Sequence, residues 1–375
     1  MLPLADGLAA AGHRVSLAVR DRATGLALLG GRDLPLLPAP IVPTGPINPT
    51  RIESYADILL NEGYTDPIAV GAIVAGWLDL LRAHRIDLLV AEFAPGAMLA
   101  ARVAGIPAIP VGMGWNLPPP TSPMPAIRFW DPPAPVTLRT SEARVLAAIA
   151  PALAAVGGAC LPSLADLFDP AQSCLCSFPE LDHYPARQDG DYFGAIYQTT
   201  EGMTPVWPAG TGTRCFVYVN GRHPALHALL GGIADSGAPT VLHLRGVPCD
   251  GQATVPPNAW LASTPVRMDA VLSAGPIVVC QGMHTMAAAL AAGCPVLAMP
   301  EHLEQTVLAN RLVQQGLGLA VAPDAQRQDV AAALQRLADD SSFRTRAAAF
   351  AARYAGYDPA MAVRAVVGEC LDRLA

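Results

Sequence analysis

The stretch Pro276-Ile-Val-Val-Cys-Gln-Gly-Met-His-Thr-Met-Ala-Ala-Ala-Leu-Ala-Ala-Gly-Cys-Pro-Val-Leu-Ala-Met-Pro300 decides the architecture. Two apolar runs, 277–279 and 296–299, bracket a polar loop at 280–284 and an Ala-rich helical segment at 285–292 that stops at Gly293. The runs are near-continuous rather than alternating, as strands of a parallel sheet covered on both faces must be. The stretch therefore reads as a βαβ unit. Its loop aims backbone N–H groups, and the positive end of the helix that follows, past the carboxyl edge of the first strand. Such a place suits an anion, typically phosphate. Pro300-Glu-His-Leu-Glu-Gln305 then supplies a second polar loop leading into a neighbouring helix, so two loops face one cleft.

Working outward, the pattern of strand and helix repeats on both sides. Downstream come helices over 302–315 and 326–338, a strand over 319–321, and two more helices between 341 and 374. Upstream lie strands at 215–219, 241–244 and 259–261, preceded by a stretch of linker composition at 199–213. The first half alternates in the same way: helix 2–12, strand 14–20, helix 67–84, strand 86–91, helix 97–104, strand 106–111, a helical Ala/Leu stretch near 141–157 and strand 173–178. Both halves are doubly wound α/β. With 375 residues and a prior of ~150 residues per domain, two domains are expected. Their bounds are 1–198 and 214–375 around the linker, with the last helices packing back on the N-terminal domain. Opening on a helix is unusual, because a parallel-sheet domain starts with the strand that feeds it. The N-terminal sheet is thus expected to lack its first strand.

Composition excludes several classes. All 24 basic residues are Arg, the net charge is −7, and no basic cluster occurs. A nucleic-acid or anionic-membrane surface is therefore not expected. The eight cysteines (160, 174, 176, 215, 249, 280, 294 and 370) form no CxxC pair and no metal-ligand spacing. They read as small core residues in a reducing compartment, with no metal site. The most apolar long run, 145–161, is broken by Pro151 and Gly157-Gly158, so no integral membrane segment is expected. With no leader pattern at the N-terminus, the expectation is a soluble cytoplasmic protein.

A dinucleotide enzyme fits poorly, since Gly112-Met-Gly114, Gly210-Thr-Gly212 and Gly316-Leu-Gly318 all lack the third glycine of the fingerprint. The run 280–305 instead resembles the donor signature of the GT-B glycosyltransferases of the UDP-glycosyltransferase, macrolide-glycosyltransferase-like type. There the pattern runs roughly His-Gly-Gly-x-Gly-Thr, then Ala-Leu-x-x-Gly-x-Pro, then Pro-x-x-x-Asp-Gln. Pro3-Leu-Ala-Asp-Gly-Leu-Ala-Ala-Ala-Gly-His13 resembles the family's first helix, and Gly105-Ile-Pro107 an N-domain strand entry. The resemblance implies the GT-B fold, two Rossmann-like doubly wound parallel-sheet domains facing a cleft.

It also implies roles, residue by residue. The interval from Thr285 to Gly293 matches without a gap, placing Cys280 at the family's phosphate-binding His, Gln281 and Gly282 at the paired Gly and His284 at the third Gly. A slip of one residue gives Gln281 the His position instead. The whole loop, Cys280, Gln281, Gly282, Met283, His284 and Thr285, is thus implied in phosphate binding, with Gly221 and Arg222 adding to it from the turn after the first C-terminal strand. Val266, Arg267 and Met268 lie in the segment that clamps the nucleobase. Glu304 and Gln305 match the pair that holds sugar hydroxyls, a carboxylate and an amide able to accept from and donate to vicinal OH groups. Glu92 matches the acid that orients the catalytic His, which itself has no counterpart here. Trp115, in a Pro-rich loop, is a candidate for the acceptor side.

The expected function is inverting, metal-independent transfer of a sugar from a UDP- or TDP-linked donor to a small, apolar acceptor hydroxyl, with no other cofactor. Two alternatives stay open: a catalytically inactive GT-B homologue that binds a ligand or partner, and a nucleotide-sugar epimerase or hydrolase working through His284 and Glu304.

Overall fold

Residues 1–41, 51–168, 173–188, 190–246 and 255–374 are described by a computed structural model; Cys249 lies outside them. In chain order the elements are α1 (Leu2–Ala10), β1 (Leu17–Val19), α2 (Arg22–Leu29), β2 (Leu36–Pro38), α3 (Tyr55–Asn61), α4 (Pro67–Ala83), β3 (Leu89–Ala91), α5 (Pro95–Ala104), β4 (Ala108–Gly112), α6 (Pro135–Ala155) and β5 (Cys174–Leu175). They continue with β6 (Cys215–Asn220), α7 (Leu226–Ser236), β7 (Thr240–Arg245), β8 (Ala259–Leu261), α8 (Met268–Leu272), β9 (Ile277–Cys280), α9 (Met283–Ala291), β10 (Val296–Ala298), α10 (Leu303–Gln314), β11 (Gly318–Ala320), α11 (Arg327–Asp339), α12 (Ser341–Arg353) and α13 (Pro359–Leu374). Contacts divide the chain into one unit of Met1–Ser177, Tyr184–Gly194 and Ala360–Ala375, and a second of Phe178–His183 and Ala195–Pro359.

In the first unit the parallel strands form two separate sheets, β1-β2 and β3-β4-β5. Both border a cavity of about 490 Å³ lined by residues 13–19 and 84–92 together with Leu4 and Leu8 of α1. The strands expected at 14–20 and 86–91 are only three residues long, and among the described residues β1 is paired with β2 alone and β3 with β4 alone. Helix α1 lies against α13 so closely that a Cβ at Gly7 would stand 2.8 Å from Val367. Pro151 lies inside α6, within the helical stretch expected near 141–157, and the helix runs four residues past it. Pro151 is exposed, while Ala148, Ile149, Ala152 and Leu153 around it are buried. Burial of those residues outweighs the loss of one helical hydrogen bond. The Pro-rich loop after β4 is anchored from below. Glu142 of α6, only 4% exposed, accepts hydrogen bonds from Met124 N (2.8 Å), Ser122 Oγ (3.2 Å) and Ser163 Oγ (3.2 Å).

The second unit is one six-stranded parallel sheet in the order β11-β10-β9-β6-β7-β8. All four residues of β9 and all three of β10 are buried, as the continuous apolar runs require. Val217, Val219, Val279 and Leu297 from the sheet meet Leu229 and Ile233 of α7 and Val330 and Leu334 of α11 in one core. Helices α7 and α11 touch at Gly232, where a Cβ would meet Val330 at 2.8 Å. Residues 199–213 belong to this unit rather than forming a free connection. Met203 bridges Val266, and the Thr199 carbonyl accepts from Asp269 N at 3.0 Å. The polar turn at 179–183, which the sequence reading placed in the N-terminal half, also belongs here.

Candidate functional site

Strand order in the second unit reverses between β6 and β9: from β6 the chain proceeds outward to β7 and β8, then returns to β9 on the other side. At such a switch point the two following loops diverge and leave a crevice at the carboxyl ends of the strands, where ligands of open α/β sheets bind. Tyr218 is level with Cys280, and Cys280 with Ala298. The turns after β6, β9 and β10 therefore sit side by side, carrying Asn220–Arg222, Gln281–Thr285 and Glu301–Gln305 respectively.

Side chains stitch these turns together. The Asn220 backbone N–H donates to Gln281 Oε1 at 2.6 Å, and the Asn220 side-chain amide reaches Glu301 Oε2 at 3.5 Å. The Glu301 N–H donates to Gln305 Oε1 at 2.8 Å. With their amide oxygens committed to the protein, Gln281 and Gln305 keep their NH2 groups for other partners. Among the described residues the Gln281 Nε2 atom finds no acceptor, although the side chain is only 3% exposed. A buried donor left without a partner is costly, and this one stands at the crevice between β6 and β9.

The donor-loop residues divide into two sets. Cys280 (0% exposed), Gln281 and Met283 (2%) point inward. Burial pushes the Cys280 thiol up to about 12, so it is a neutral core residue at pH 7. Gly282 and Thr285 are half-buried and His284 is exposed at the start of α9. The first backbone N–H groups of that helix have no partner within it, and with the helix dipole they make this end suited to an anion. Gly282 is the N-cap in extended conformation (φ −107°). A Cβ built on it meets nothing within 4 Å.

The turn after β6 contributes differently from the sequence expectation. The Gly221 N–H donates to Arg245 O (2.8 Å) and the Arg222 N–H to Asn220 Oδ1 (3.0 Å). These backbone donors are already used, so only the exposed guanidinium of Arg222 is left to meet an anion. Next to it His223 is 3% exposed. Burial lowers its pKa, against an upward pull from Glu301 and the Met299 and Pro300 carbonyls. Its Nδ1 accepts from Ala225 N at 3.0 Å.

Glu304 and Gln305 occupy the first turn of α10, where the helix dipole favours the carboxylate. Glu304 Oε1 lies 3.3 Å from Nε2 of His183, and Oε2 lies 3.8 Å from Nδ1 of His302. Val266 is buried and Arg267 exposed, paired with Asp269 at 2.6 Å. The Pro265 carbonyl and the Arg267 N–H are bonded to Met203, so the backbone groups of Val266 point to the opposite edge. Met268 opens α8. In the first unit, Glu92 is exposed at the end of β3 and borders the cavity there, while Trp115 is half-buried just beyond β4. Among the described residues no group of His, Cys, Asp and Glu could hold a metal ion, and no helix is long and apolar enough to cross a membrane.

Sequence reasoning did not name Asn220, Glu301 or His183 as site residues, reading the turn that carries His183 as a hydrogen-bonded turn near the cleft. The first two are polar residues in the turns directly after buried strands, a signal that was present. His183 is brought to Glu304 only by the fold.

Residues 227–369 match the family Erythromycin biosynthesis protein CIII-like, C-terminal domain. Among curated proteins none matches the chain in sequence. Solved structures are similar over nearly the whole chain. CalG4, the calicheamicin glycosyltransferase, shares 19% identity over 100% of this chain and 95% of its own, with a TM-score of 0.71. The glycosyltransferase VinC, solved in complex with dTDP, shares 19% over 99% and 96%, with a TM-score of 0.69. SsfS6, a glycosyltransferase of Streptomyces sp. SF2575, shares 23% over 97% and 94%, with a TM-score of 0.63. The fold is thus the GT-B fold of the antibiotic glycosyltransferases.

Proposed function

We propose that the protein is a glycosyltransferase that moves a sugar from a nucleoside-diphosphate donor to the hydroxyl of a small, apolar acceptor. The observation that carries this reading is the crevice between β6 and β9: an unobstructed Gly282 at the N-terminus of α9, a buried amide donor on Gln281, and the Glu304-Gln305 pair on the adjoining turn. The match of residues 227–369 to an antibiotic-biosynthesis family supports it, as does the dTDP complex of the similarly folded VinC. In this reading the diphosphate lies against the amides of 282–285, with Arg222 adding charge, and the sugar meets Glu304 and the Gln305 amide. The acceptor oxygen forms a bond to the anomeric carbon as that carbon's bond to the diphosphate breaks, and the hydroxyl proton passes to a base. The helix end and the loop amides stabilise the charge gathering on the departing diphosphate. Attack from the face opposite the leaving group inverts the anomeric centre. The local donors that meet the diphosphate support independence from a metal.

Titration calorimetry with thymidine and uridine diphosphates tests the donor site, and incubation of the cognate sugar nucleotide with a panel of apolar alcohols and phenols, read by mass spectrometry, tests transfer. Glycoside formed at an unchanged rate in a chelator, with an inverted anomeric proton coupling, is the expected result. Nucleotide binding without turnover supports a binding protein instead. Donor consumed equally fast without acceptor supports a hydrolase.

A further inference from the structure

The Glu304 carboxylate lies between two imidazoles of opposite character. His302 is the N-cap of its own helix and its side chain is 59% exposed, whereas the side chain of His183 is 0% exposed and comes from far earlier in the chain. His183 ends a short turn, Pro179–Leu181 and the two residues after it, which is fastened to the sheet-flanking helices at several points. The Glu180 carboxylate is bonded to Arg353 and to the Tyr354 hydroxyl (2.7 Å) of α12 and the residue after it. Arg311 of α10, itself only 5% exposed, donates from Nε to the Asp182 carbonyl at 3.0 Å and from Nη1 to Gln314 Oε1 at 2.6 Å. Arg311 thereby ties the turn to α10. Its effect is to fix the residue that follows, His183, with Nε2 facing Glu304.

A carboxylate only accepts hydrogen bonds, so Nε2 of His183 carries the proton at this contact. The contact engages Oε1 and leaves Oε2 on the side of the exposed His302. We infer that His183 is a positioning residue: it holds one oxygen of Glu304 so that the other is aimed at a sugar hydroxyl of the donor. The inference rests on the nucleotide-sugar reading of the site. It separates two parts of donor recognition. Binding of the nucleoside diphosphate, met by α9 and Arg222, does not depend on His183. Recognition and orientation of the sugar do.

The test compares His183→Leu, which fills the space without a donor, His183→Gln, whose amide N–H can reach the place of Nε2, Glu304→Gln, and the double variant His183→Leu/Glu304→Gln. Thymidine diphosphate affinity is measured by calorimetry, kcat and KM with the sugar nucleotide by product formation, and folding by thermal unfolding. H183L is expected to keep thymidine diphosphate affinity within about twofold, as befits a residue that does not touch it. Its kcat/KM for the donor should fall roughly 10- to 100-fold, the scale of a displaced positioning group. H183Q should recover most of that loss. Because one residue acts through the other, the double variant should be no worse than E304Q alone. Unchanged donor kinetics in a folded H183L, or losses in the double variant that multiply, would overturn the positioning role while leaving the donor site intact. If H183L does not fold, the H183Q comparison decides: a folded H183Q with kinetics as poor as those of E304Q overturns the role, and near-wild-type kinetics support it. Failure of the wild-type protein to bind thymidine or uridine diphosphate removes the donor reading itself, and the inference with it.

Discussion

Replacing Gly282 by alanine separates what the loop does for the fold from what it does for a ligand. Gly282 has φ −107° and ψ 162°, ordinary extended backbone, so no strain demands glycine there. A Cβ would meet nothing within 4 Å, so packing does not demand it either. Two small terms then oppose each other. Alanine is a worse N-cap than glycine by up to about 1 kcal/mol. Against this, alanine loses less chain entropy on folding, which stabilises by about 0.4–1 kcal/mol. The net effect on stability should be about 0.5 kcal/mol or less in either direction. Binding is a different matter. The open space at Gly282 is where a phosphate must come to reach the first amides of α9, and a methyl group there keeps it at a distance. Loss of one charge-assisted hydrogen bond is worth about 1.5–3 kcal/mol, so thymidine diphosphate affinity should fall roughly 10- to 150-fold. Calorimetry reads the affinity and differential scanning fluorimetry the stability. A G282A protein that binds as tightly as the wild type would refute the claim that this helix N-terminus holds the diphosphate. Equal losses of affinity and stability would show that the glycine serves the fold after all.

Other expected outcomes test the placement of neighbouring residues. Cys280→Ala should leave nucleotide affinity unchanged and cost about 1–2 kcal/mol of stability through the small cavity it leaves, seen as a lower urea midpoint. A large loss of affinity in a stable protein would mean that the thiol faces the ligand. Iodoacetamide followed by peptide mapping should modify exposed Cys160 in the native protein well before buried Cys174, Cys176, Cys215, Cys280, Cys294 or Cys370. The buried histidines 223 and 243 both have pKa values lowered chiefly by burial. The unfolded chain therefore binds protons more readily, so the stability of the second unit should be fully present above about pH 6.5 and be lost as pH falls below it. The loss should be at most about 1.4 kcal/mol per pH unit per histidine, and H243Q should flatten the pH dependence of the unfolding midpoint. In the first unit, Leu17 N–H bonds toward β2 and Leu89 N–H toward β4, so the alternate residues Ala18 and Val90 turn their backbone groups to the cavity. Hydrogen exchange at those two amides should be much faster than at Val217 or Val279 in the six-stranded sheet, and equal protection would contradict the split of the first sheet.

The second unit was legible in the sequence because its signals were local and repeated. Apolar runs such as 277–279 and 296–299 admit one reading when a glycine-stopped helical segment lies between them, and β9, β10 and α9 fall within about two residues of expectation. The first unit was less legible for a physical reason. Among the described residues β1 and β3 carry three residues each and pair on one side only, so the pattern at 14–20 and 86–91 promised longer strands than the local pairing supports. The Pro-rich loop was read for its tryptophans and its stiffness. Its anchoring residue, Glu142, lies some 20 positions downstream on α6, a distance at which composition carries no information. The turn at 179–183 was misplaced between the units for the same reason, since its partners Arg311, Arg353 and Tyr354 are more than 100 residues away.

The donor loop shows which part of a motif is informative. Positions 280, 281 and 284 depart from the pattern they resemble: the Cys280 and Gln281 side chains point inward, where Cys280 packs and Gln281 ties the loop to β6, while His284 is exposed at the start of α9. An anion would be met by backbone amides, which every residue type supplies, provided that the helix starts at the right place and nothing stands over its first turn. Both conditions are set by spacing: the length from β9 to α9 fixes where the amides emerge, and Gly282 keeps the approach open. The identities of the inward residues can therefore drift with the core while the anion site persists. In the proposed nucleotide-sugar reading, what cannot drift are the side chains that would recognise the sugar, since no backbone group replaces a carboxylate and an amide set one residue apart. Glu304 and Gln305 are retained on α10. Around them lies dedicated support, with Gln305 bonded back to Glu301 and Glu304 braced by a buried histidine. Investment of buried polar groups in holding these two side chains is hard to explain as stabilisation alone, because such groups return little net stability. It is what orientation of a ligand requires.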